Sequence, residues 1–394
     1  MHILIISSEP FDHGESPMYG IFQKHQANHL YKNNYTVGVL SPLGRSLRFI
    51  PNFLKSLVSV SGKRKYNFDV VKNYLWNPFS KFKGLEWLWY KWFGYLLYHR
   101  YVRKNGTPDI IHAHNTFHAG RFAVLLKKKY DIPVVLTEHS SVFLTGAFDQ
   151  ADEQIISKVM ENSDQIVAVS RSIAKKLAMF LLGSQKKEIN IVHNVLDEDF
   201  EMEAHFKRQL LPSEHTFTFF NLAGLTEIKN QRLLIRAFSK IAIELNVVLK
   251  IGGNGPLYSE LNTLINELCM QEYIFLLGHL DRESVKNEFR KSDCFVLTSN
   301  HETFGVVLIE ALCFGIPLIA TKCGGPNEIV DDSNGILVNV NSETDLINAL
   351  RQIVTFAHNY NSDMIKKRCF KTYSGKAFIE NIATVYNKSV VKKK

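Results

Sequence analysis

The sequence has little cysteine, only five in 394 residues, at 269, 294, 313, 323 and 369. They form no Cys-x-x-Cys pair and no cluster with histidine, so the pattern fits the reduced thiols of a cytoplasmic protein better than a disulfide framework or a zinc site. No apolar run reaches the roughly 18 uninterrupted residues that a membrane span requires. The opening stretch, Met1-His2-Ile3-Leu4-Ile5-Ile6, is apolar but carries no basic leader and no small-residue cleavage site, which makes it a first strand rather than a signal peptide. There is no internal repeat and no low-complexity segment. A Gly-x-Gly-x-x-Gly turn is absent after the first strand, which removes the dinucleotide fingerprint. Acidic residues are nearly missing from one block. Residues 43–104 hold 13 Lys and Arg against Asp69 and Glu86 alone, although the whole chain carries only +9.

What is present reads as two domains of ordinary size. The hydrophobic content of 45% and charged content of 22% are those of a globular protein. In the first half, short apolar strands at 2–6, 35–40, 68–71, 109–113, 133–137, 165–169 and 190–192 alternate with helical patterns. Strands alternating with helices predict an α/β fold with parallel sheets covered on both faces. The second half repeats the theme with strands at 216–222, 247–251, 273–277, 294–298 and 317–321. A helix over 231–245 carries apolar residues at 233, 234, 237, 238, 241, 242 and 245, a stripe of 3.6-residue period. The expected domains are 1–200 and 201–374.

In open α/β sheets ligands gather at the carboxyl ends of strands, and chemistry-bearing residues collect there. The loop after the first strand, residues 7–20, is rich in Gly, Pro and Ser, with Gly14 and Gly20 placed for close backbone approach. The strand 109–113 runs into His114, and the strand 133–137 runs into Glu138 and His139. In the second half, Lys229 lies in a loop at a helix start, where a cation meets a phosphate. The stretch Asn300-His301-Glu302-Thr303-Phe304-Gly305-Val306-Val307-Leu308-Ile309-Glu310 reads as loop then helix, with Glu302 in the loop and Glu310 about two turns in. A helix start offers unpaired N–H groups and partial positive charge, a seat for phosphate. A carboxylate deeper in the helix accepts hydrogen bonds from a vicinal diol such as a ribose, and one in the loop does so for a hexose. The spacing suits a nucleotide-sugar. The plain alternative is an amphipathic helix with two solvated glutamates.

Glu302 and Glu310 with seven residues between them, together with Gly278-His279, Gly315-Ile316-Pro317 and Gly324-Gly325-Pro326-Asn327-Glu328, closely resemble the retaining glycosyltransferases of family 4 (group 1). The resemblance covers nearly the whole chain and is strongest after about residue 215. It implies the GT-B fold, two Rossmann-like domains facing across a cleft, with the last helix (about 375–394) returning to the first domain. It implies Lys229, Glu302 and His139 as catalytic residues. Glu310, Thr303, Phe304, Gly305, Val306, Gly278, His279 and Gly224 become donor contacts, and Gly14, Gly20 and His114 line the acceptor and phosphate loop. The family often has arginine five positions before its lysine, where this chain has Gly224, with Arg232 as a possible substitute. No cofactor and no metal are implied, the nucleotide-sugar being a co-substrate. Asp197-Glu198-Asp199 spells the metal-binding signal of another glycosyltransferase fold, but it sits after the last strand of the first half and reads as the acidic start of a helix. Two carboxylates also suggest glycoside hydrolysis, which needs both to flank one bond. A loop Glu and a helix Glu eight positions on lie about 10 Å or more apart along a helical path, which favours separate roles.

The basic block also carries Trp76, Phe79, Phe82, Trp87, Trp89, Tyr90, Trp92, Phe93, Tyr95 and Tyr98. Basic residues among Trp and Tyr suit the edge of an anionic bilayer or a lipid-linked acceptor. The same pattern also arises from a solvated basic face over an aromatic core, and nucleic acid is the least favoured partner. The expected activity is transfer of a sugar to a glycan or lipid-linked acceptor in surface polysaccharide or glycolipid biosynthesis, at or near the inner face of the cell membrane. The alternatives are a nucleotide-sugar epimerase of the same fold or a non-catalytic sugar- or membrane-binding relative.

Overall fold

A computed structural model describes residues 1–9, 11, 20–43, 45–46, 66–72, 76–79, 82–181, 187–206 and 215–391. Gly14 lies outside the described residues, as does much of the 43–81 stretch. The chain divides into two compact units. One comprises Met1–Val169, Ile173–Val195 and Phe378–Lys394; the other comprises Ser170–Ser172 and Leu196–Ala377.

The first unit is built on β1 (His2–Ser7), β2 (Thr36–Ser41), β3 (Arg45–Ser46), β4 (Asp69–Lys72), β5 (Trp76–Asn77), β6 (Ile110–His114), β7 (Val134–Glu138), β8 (Gln165–Ala168) and β9 (Ile189–Ile191). Seven of these form one parallel sheet in the order β4-β2-β1-β6-β7-β8-β9, while β3 and β5 pair separately. β1 is buried from Ile3 to Ser7 and β6 along its whole length, as strands covered on both faces must be. Ile5 pairs with Val39 on one side and His112 on the other. The strand order therefore reverses at β1, and a crevice opens between the carboxyl ends of β1 and β6.

The helix Lys83–Asn105 accounts for much of the aromatic block. Tyr90, Phe93, Leu97, Tyr98 and Tyr101 are buried. The Tyr90 hydroxyl donates to the Ser7 carbonyl at 2.8 Å. The Tyr101 ring lies over Gly38, where a Cβ would come within 2.0 Å of its hydroxyl oxygen, so only glycine fits in that strand. Trp89 packs between Phe79 and Phe93, with ring centroids 5.7 and 4.6 Å away. Of the ten aromatic residues in the block, only Phe82 and Trp92 stand out as exposed large hydrophobics among the described residues. Most of that aromatic surface therefore serves the interior. The final helix, Gly375–Val391, contributes Phe378, Ile382, Val385 and Tyr386 to the core under β1, β2 and β6.

The second unit holds β10 (Phe217–Leu222), β11 (Val247–Gly252), β12 (Ile274–Gly278), β13 (Cys294–Leu297), β14 (Leu318–Thr321) and β15 (Gly335–Val338). They form a parallel sheet in the order β12-β11-β10-β13-β14-β15. The order reverses between β10 and β13, the second such crevice. The helix expected over 231–245 runs only from Gln231 to Ser239; of the remaining stripe residues, Ile241 and Ala242 are buried in the turns that follow and Leu245 is half-buried. No helix among the described residues is long and apolar enough to cross a membrane.

Candidate functional site

In the second unit the reversal of strand order brings together residues far apart in the chain. Lys229 ends a short helical turn after β10, and Glu302 follows β13. Because β10 and β13 are neighbours, Lys229 Nζ reaches Glu302 Oε2 at 2.6 Å. The Thr298 hydroxyl donates to the Lys229 carbonyl at 3.0 Å, and Asn300 N–H donates to the Ile228 carbonyl at 2.7 Å, so the two loops are sewn together. Glu302 is fixed from its other side as well. Its N–H donates to the Cys323 carbonyl at 3.1 Å, and its carbonyl accepts from Gly325 N–H at 2.7 Å. The Gly324-Gly325 turn after β14 is thus a splint for the glutamate loop, and a Cβ at Gly325 would lie 2.3 Å from the Phe304 Cα.

The helix Val306–Cys313 begins at Gly305, whose φ of 94° is one that side-chain-bearing residues rarely adopt. No side chain caps this start, which leaves the first-turn amides as donors. Thr303 and Val306 are half-buried. Phe304 is turned inward, 1% exposed, with its ring edge-on to Tyr373 at 5.8 Å. Its side chain belongs to the core, and only its backbone can face a ligand. Gly278 closes β12 with a φ of 68° and open space where a Cβ would stand; His279 beside it is exposed.

Glu310 lies on the second turn of that helix. It keeps some solvent contact, yet burial pushes its carboxyl up to about 7, against the pull of the nearby Arg282 guanidinium. Burial in turn lowers the Arg282 pKa, with Glu310 opposing that shift. Arg282 forms ion pairs with Asp197 and Asp199 and lies over the Phe200 ring at 5.2 Å. Asp197 also caps the short helix Glu198–Glu201. The acidic triplet is thus a helix start held by an arginine. Arg282 carries no motif in the sequence; only the fold sets it beside Glu310. Arg232 does not stand free for a phosphate, since Glu227 and Glu260 both grip its guanidinium. At Gly224 a Cβ would meet only the Asn254 carbonyl oxygen, at 4.0 Å, so the position is roomy as well as uncharged.

In the first unit, His114 and His139 follow adjacent strands and share a hydrogen bond, Nδ1 to Nε2, at 2.9 Å. His112 binds the Tyr386 hydroxyl at 2.8 Å and the Thr137 hydroxyl at 2.7 Å. Burial holds His139 at about 4 and His112 at about 3, and it lowers His114 well below its ordinary value. These imidazoles are neutral at physiological pH and serve as hydrogen-bonding groups. The Phe22 ring stacks on His139 at 5.8 Å, from the helix Ile21–Lys32 that Gly20 opens with a φ of 66°. Gly20 N–H donates to Glu9 at 3.3 Å. Gly20, His114 and His139 are therefore gathered around the β1–β6 crevice. Glu138, to which the sequence pattern assigns no role, is buried and accepts from Thr116 N–H and hydroxyl (2.8 and 2.6 Å), His139 N–H (3.0 Å) and Ser140 N–H (2.8 Å). It shapes the turn that presents His139. A carboxylate directly before the histidine is its only signal in the chain.

The family model described as "Glycosyl transferases group 1" matches residues 202–368, and that described as "Glycosyltransferase Family 4" matches residues 24–200. The chain belongs to the group 1 glycosyltransferases. Among curated members, N-acetyl-alpha-D-glucosaminyl L-malate synthase of Bacillus anthracis is 25% identical over 297 residues, 72% of this chain and 76% of that protein. Among solved structures, the Anabaena protein HepE in complex with UDP superposes with a TM-score of 0.72 at 18% identity, covering 98% of this chain and all of that one. Sucrose-phosphate synthase from Thermosynechococcus elongatus gives a TM-score of 0.75 at 15% identity, with 99% of each chain covered. These likenesses identify the GT-B architecture of two Rossmann-like domains. As a group 1 glycosyltransferase, the chain is a transferase.

Proposed function

We propose that this glycosyltransferase takes a sugar from a nucleotide-diphosphate donor and transfers it, with retained anomeric configuration, to a hydroxyl of a glycan or lipid-linked acceptor in surface polysaccharide or glycolipid biosynthesis. The observation that carries the reading is the meeting of Lys229 and Glu302 at 2.6 Å across the β10–β13 crevice, in the loop that leads to the uncapped start of Val306–Cys313. The binding of UDP by HepE supports a nucleoside diphosphate there.

In this reading the bond from the anomeric carbon to the diphosphate oxygen breaks, and charge grows on the leaving group. Lys229 and the amides of Gly305–Val307 answer that charge without a metal. Glu302 accepts from hydroxyls of the donor sugar, and Glu310 accepts from the ribose diol. The acceptor oxygen attacks from the face the diphosphate leaves, and its proton passes to a diphosphate oxygen, so no enzymatic base is assigned. His139, neutral and desolvated, suits a hydroxyl partner. A thermal-shift screen of UDP-, GDP- and ADP-sugars tests the reading. One nucleotide class should stabilise the folded protein, and Lys229→Ala should lose that shift and about 10²-fold in kcat/KM. Absence of a shift with every donor, or full activity in Lys229→Ala, would sink it.

A further inference from the structure

The helix Lys83–Asn105 is amphipathic in an inverted sense. Tyr90, Phe93, Leu97, Tyr98 and Tyr101 bury one face. On the opposite face, Leu85, Leu88, Trp92 and Leu96 are 45, 58, 64 and 53% exposed. Their spacing of three, four and four places them on one line along the helix. Three and seven residues further on, the same line reaches His99 and Arg103. Apolar residues thus occupy the first turns of this face, and basic residues its end. At that end an open recess of about 650 Å³ is lined by Leu96, His99, Arg100, Arg103 and Lys104.

The basic groups at the recess are not equally engaged. Lys104 is spent on Asp69 at 2.7 Å, and His99 shares a hydrogen bond with the Tyr130 hydroxyl at 3.2 Å. Among the described residues no carboxylate forms an ion pair with Arg100 or Arg103. Lys129 lies over the Tyr95 ring at 5.1 Å, beside the stripe, and adds to the positive rim. A leucine–tryptophan stripe on an outward face loses free energy in water, and nothing in the first unit's core calls for it. We propose that this face is an interfacial anchor for an anionic bilayer: Leu85, Leu88, Trp92 and Leu96 enter the headgroup–acyl boundary, and Arg100 and Arg103 hold lipid phosphates at the recess. Charge complementarity selects the occupant. The helix itself carries Lys83, Lys91, Arg100, Arg103 and Lys104 against Glu86 alone, which favours a surface of dense negative charge. The helix lies in the interface rather than across it, since it is not apolar enough to span. Apolar insertion and phosphate pairing together supply the two signals that stable anchoring takes. The inference deepens the proposed function by giving a lipid-linked acceptor a place to be met, but it does not depend on the donor site.

The test is co-sedimentation of the full-length protein with vesicles of phosphatidylcholine alone, or with about one-third phosphatidylglycerol, at about 0.05 M and about 0.5 M salt. The protein should pellet with the anionic vesicles at low salt and several-fold less at high salt. Leu88→Gln/Trp92→Gln/Leu96→Gln and Arg100→Gln/Arg103→Gln should each reduce pelleting several-fold, while Arg100→Lys/Arg103→Lys retains most of it. Vesicle binding should shift tryptophan emission to the blue, and Trp92→Phe should lose most of that shift. All substituted side chains point outward, so melting temperature and donor-induced thermal shift should stay as in the parent. No pelleting of the folded protein, or pelleting that neither multiple variant reduces, overturns the proposal. A concentration-dependent dimer abolished by the apolar triple variant also overturns it, assigning the face to a second copy of the chain. Pelleting without any donor-induced shift would instead leave the anchor standing and remove the proposed donor site.

Discussion

Glu310 is a carboxylate that is costly to the fold and that the proposed function assigns to the ribose of the donor. Its carboxyl is raised to about 7 by burial and drawn back by Arg282. A carboxyl raised in this way favours the folded state while protonated and loses that benefit as pH rises from the unfolded value of about 4.5 through 7. Glu310→Gln should therefore stabilise the ligand-free protein at pH 8, by up to about 3 kcal/mol from the size of the shift, as read by urea unfolding. The same variant should bind the nucleotide more weakly, because an amide offers one acceptor where the carboxylate offers two. The parent should bind donor more weakly as pH falls from 8 to 6, and the variant should lack that dependence. Gly224 makes a second residue-scale case. A Cβ there would find nothing nearer than the Asn254 carbonyl oxygen, so a side chain can leave the backbone there without a clash at its first atom. Gly224→Arg should tighten nucleotide-diphosphate binding by about fivefold, worth about 1 kcal/mol once solvent screening is allowed for, measured by calorimetric titration.

Among the elements, the decisive pieces are the two loops that leave β10 and β13 and the helix Val306–Cys313. A helix start binds an anion only if its amides are free and aimed, and Gly305 aims them through a backbone angle that a Cβ disfavours. An added Cβ would also meet Leu308 Cδ1 at 3.1 Å and Glu302 Cγ at 3.4 Å. Gly305→Ala should cost about 1–2 kcal/mol of stability, measured by urea unfolding, and weaken donor binding beyond what that loss explains, since the backbone angle that aims the first-turn amides is disfavoured. Most strands are legible to within a residue or two, because a buried parallel strand is a local apolar run. The helix at Gln231 is shorter than its pattern implies. Its apolar stripe continues past Ser239, but Ile241 and Ala242 are buried through turns, and periodicity alone cannot separate those two routes inward. β15 escapes a reading by pattern for a related reason: Gly335-Ile336-Leu337-Val338 is four residues long and only partly buried.

For the molecule as a whole, the two units should answer acid differently. His112 and His139 sit at about 3 and about 4 in the fold, against an ordinary value near 6.5. Imidazoles depressed in this way contribute stability above pH 6.5 that drains away as pH falls toward 4, by up to about 3 kcal/mol for a group shifted as far as His139. Glu310, in the other unit, works in the opposite direction, gaining stability as pH falls from 7 to 4.5. Between pH 6.5 and 4.5 the first unit should therefore unfold at progressively lower urea concentration while the second does not. His139→Asn should flatten the first unit's response.

Short windows of sequence are enough to specify the α/β alternation, the carboxyl-edge location of Lys229, Glu302, His114 and His139, and the pairing of two glutamates on a loop and helix. Each of these follows from local periodicity, because strand direction and the strand-to-loop boundary are set within a few residues. Long-range packing alone settles that Lys229 touches Glu302, that Arg282 stands beside Glu310, that Phe304 turns inward, and that one face of Lys83–Asn105 is covered while the other is bare. Those outcomes depend on which strands become neighbours and what packs over them. Such choices are made by burial across residues tens to hundreds of positions apart, beyond the reach of any local pattern.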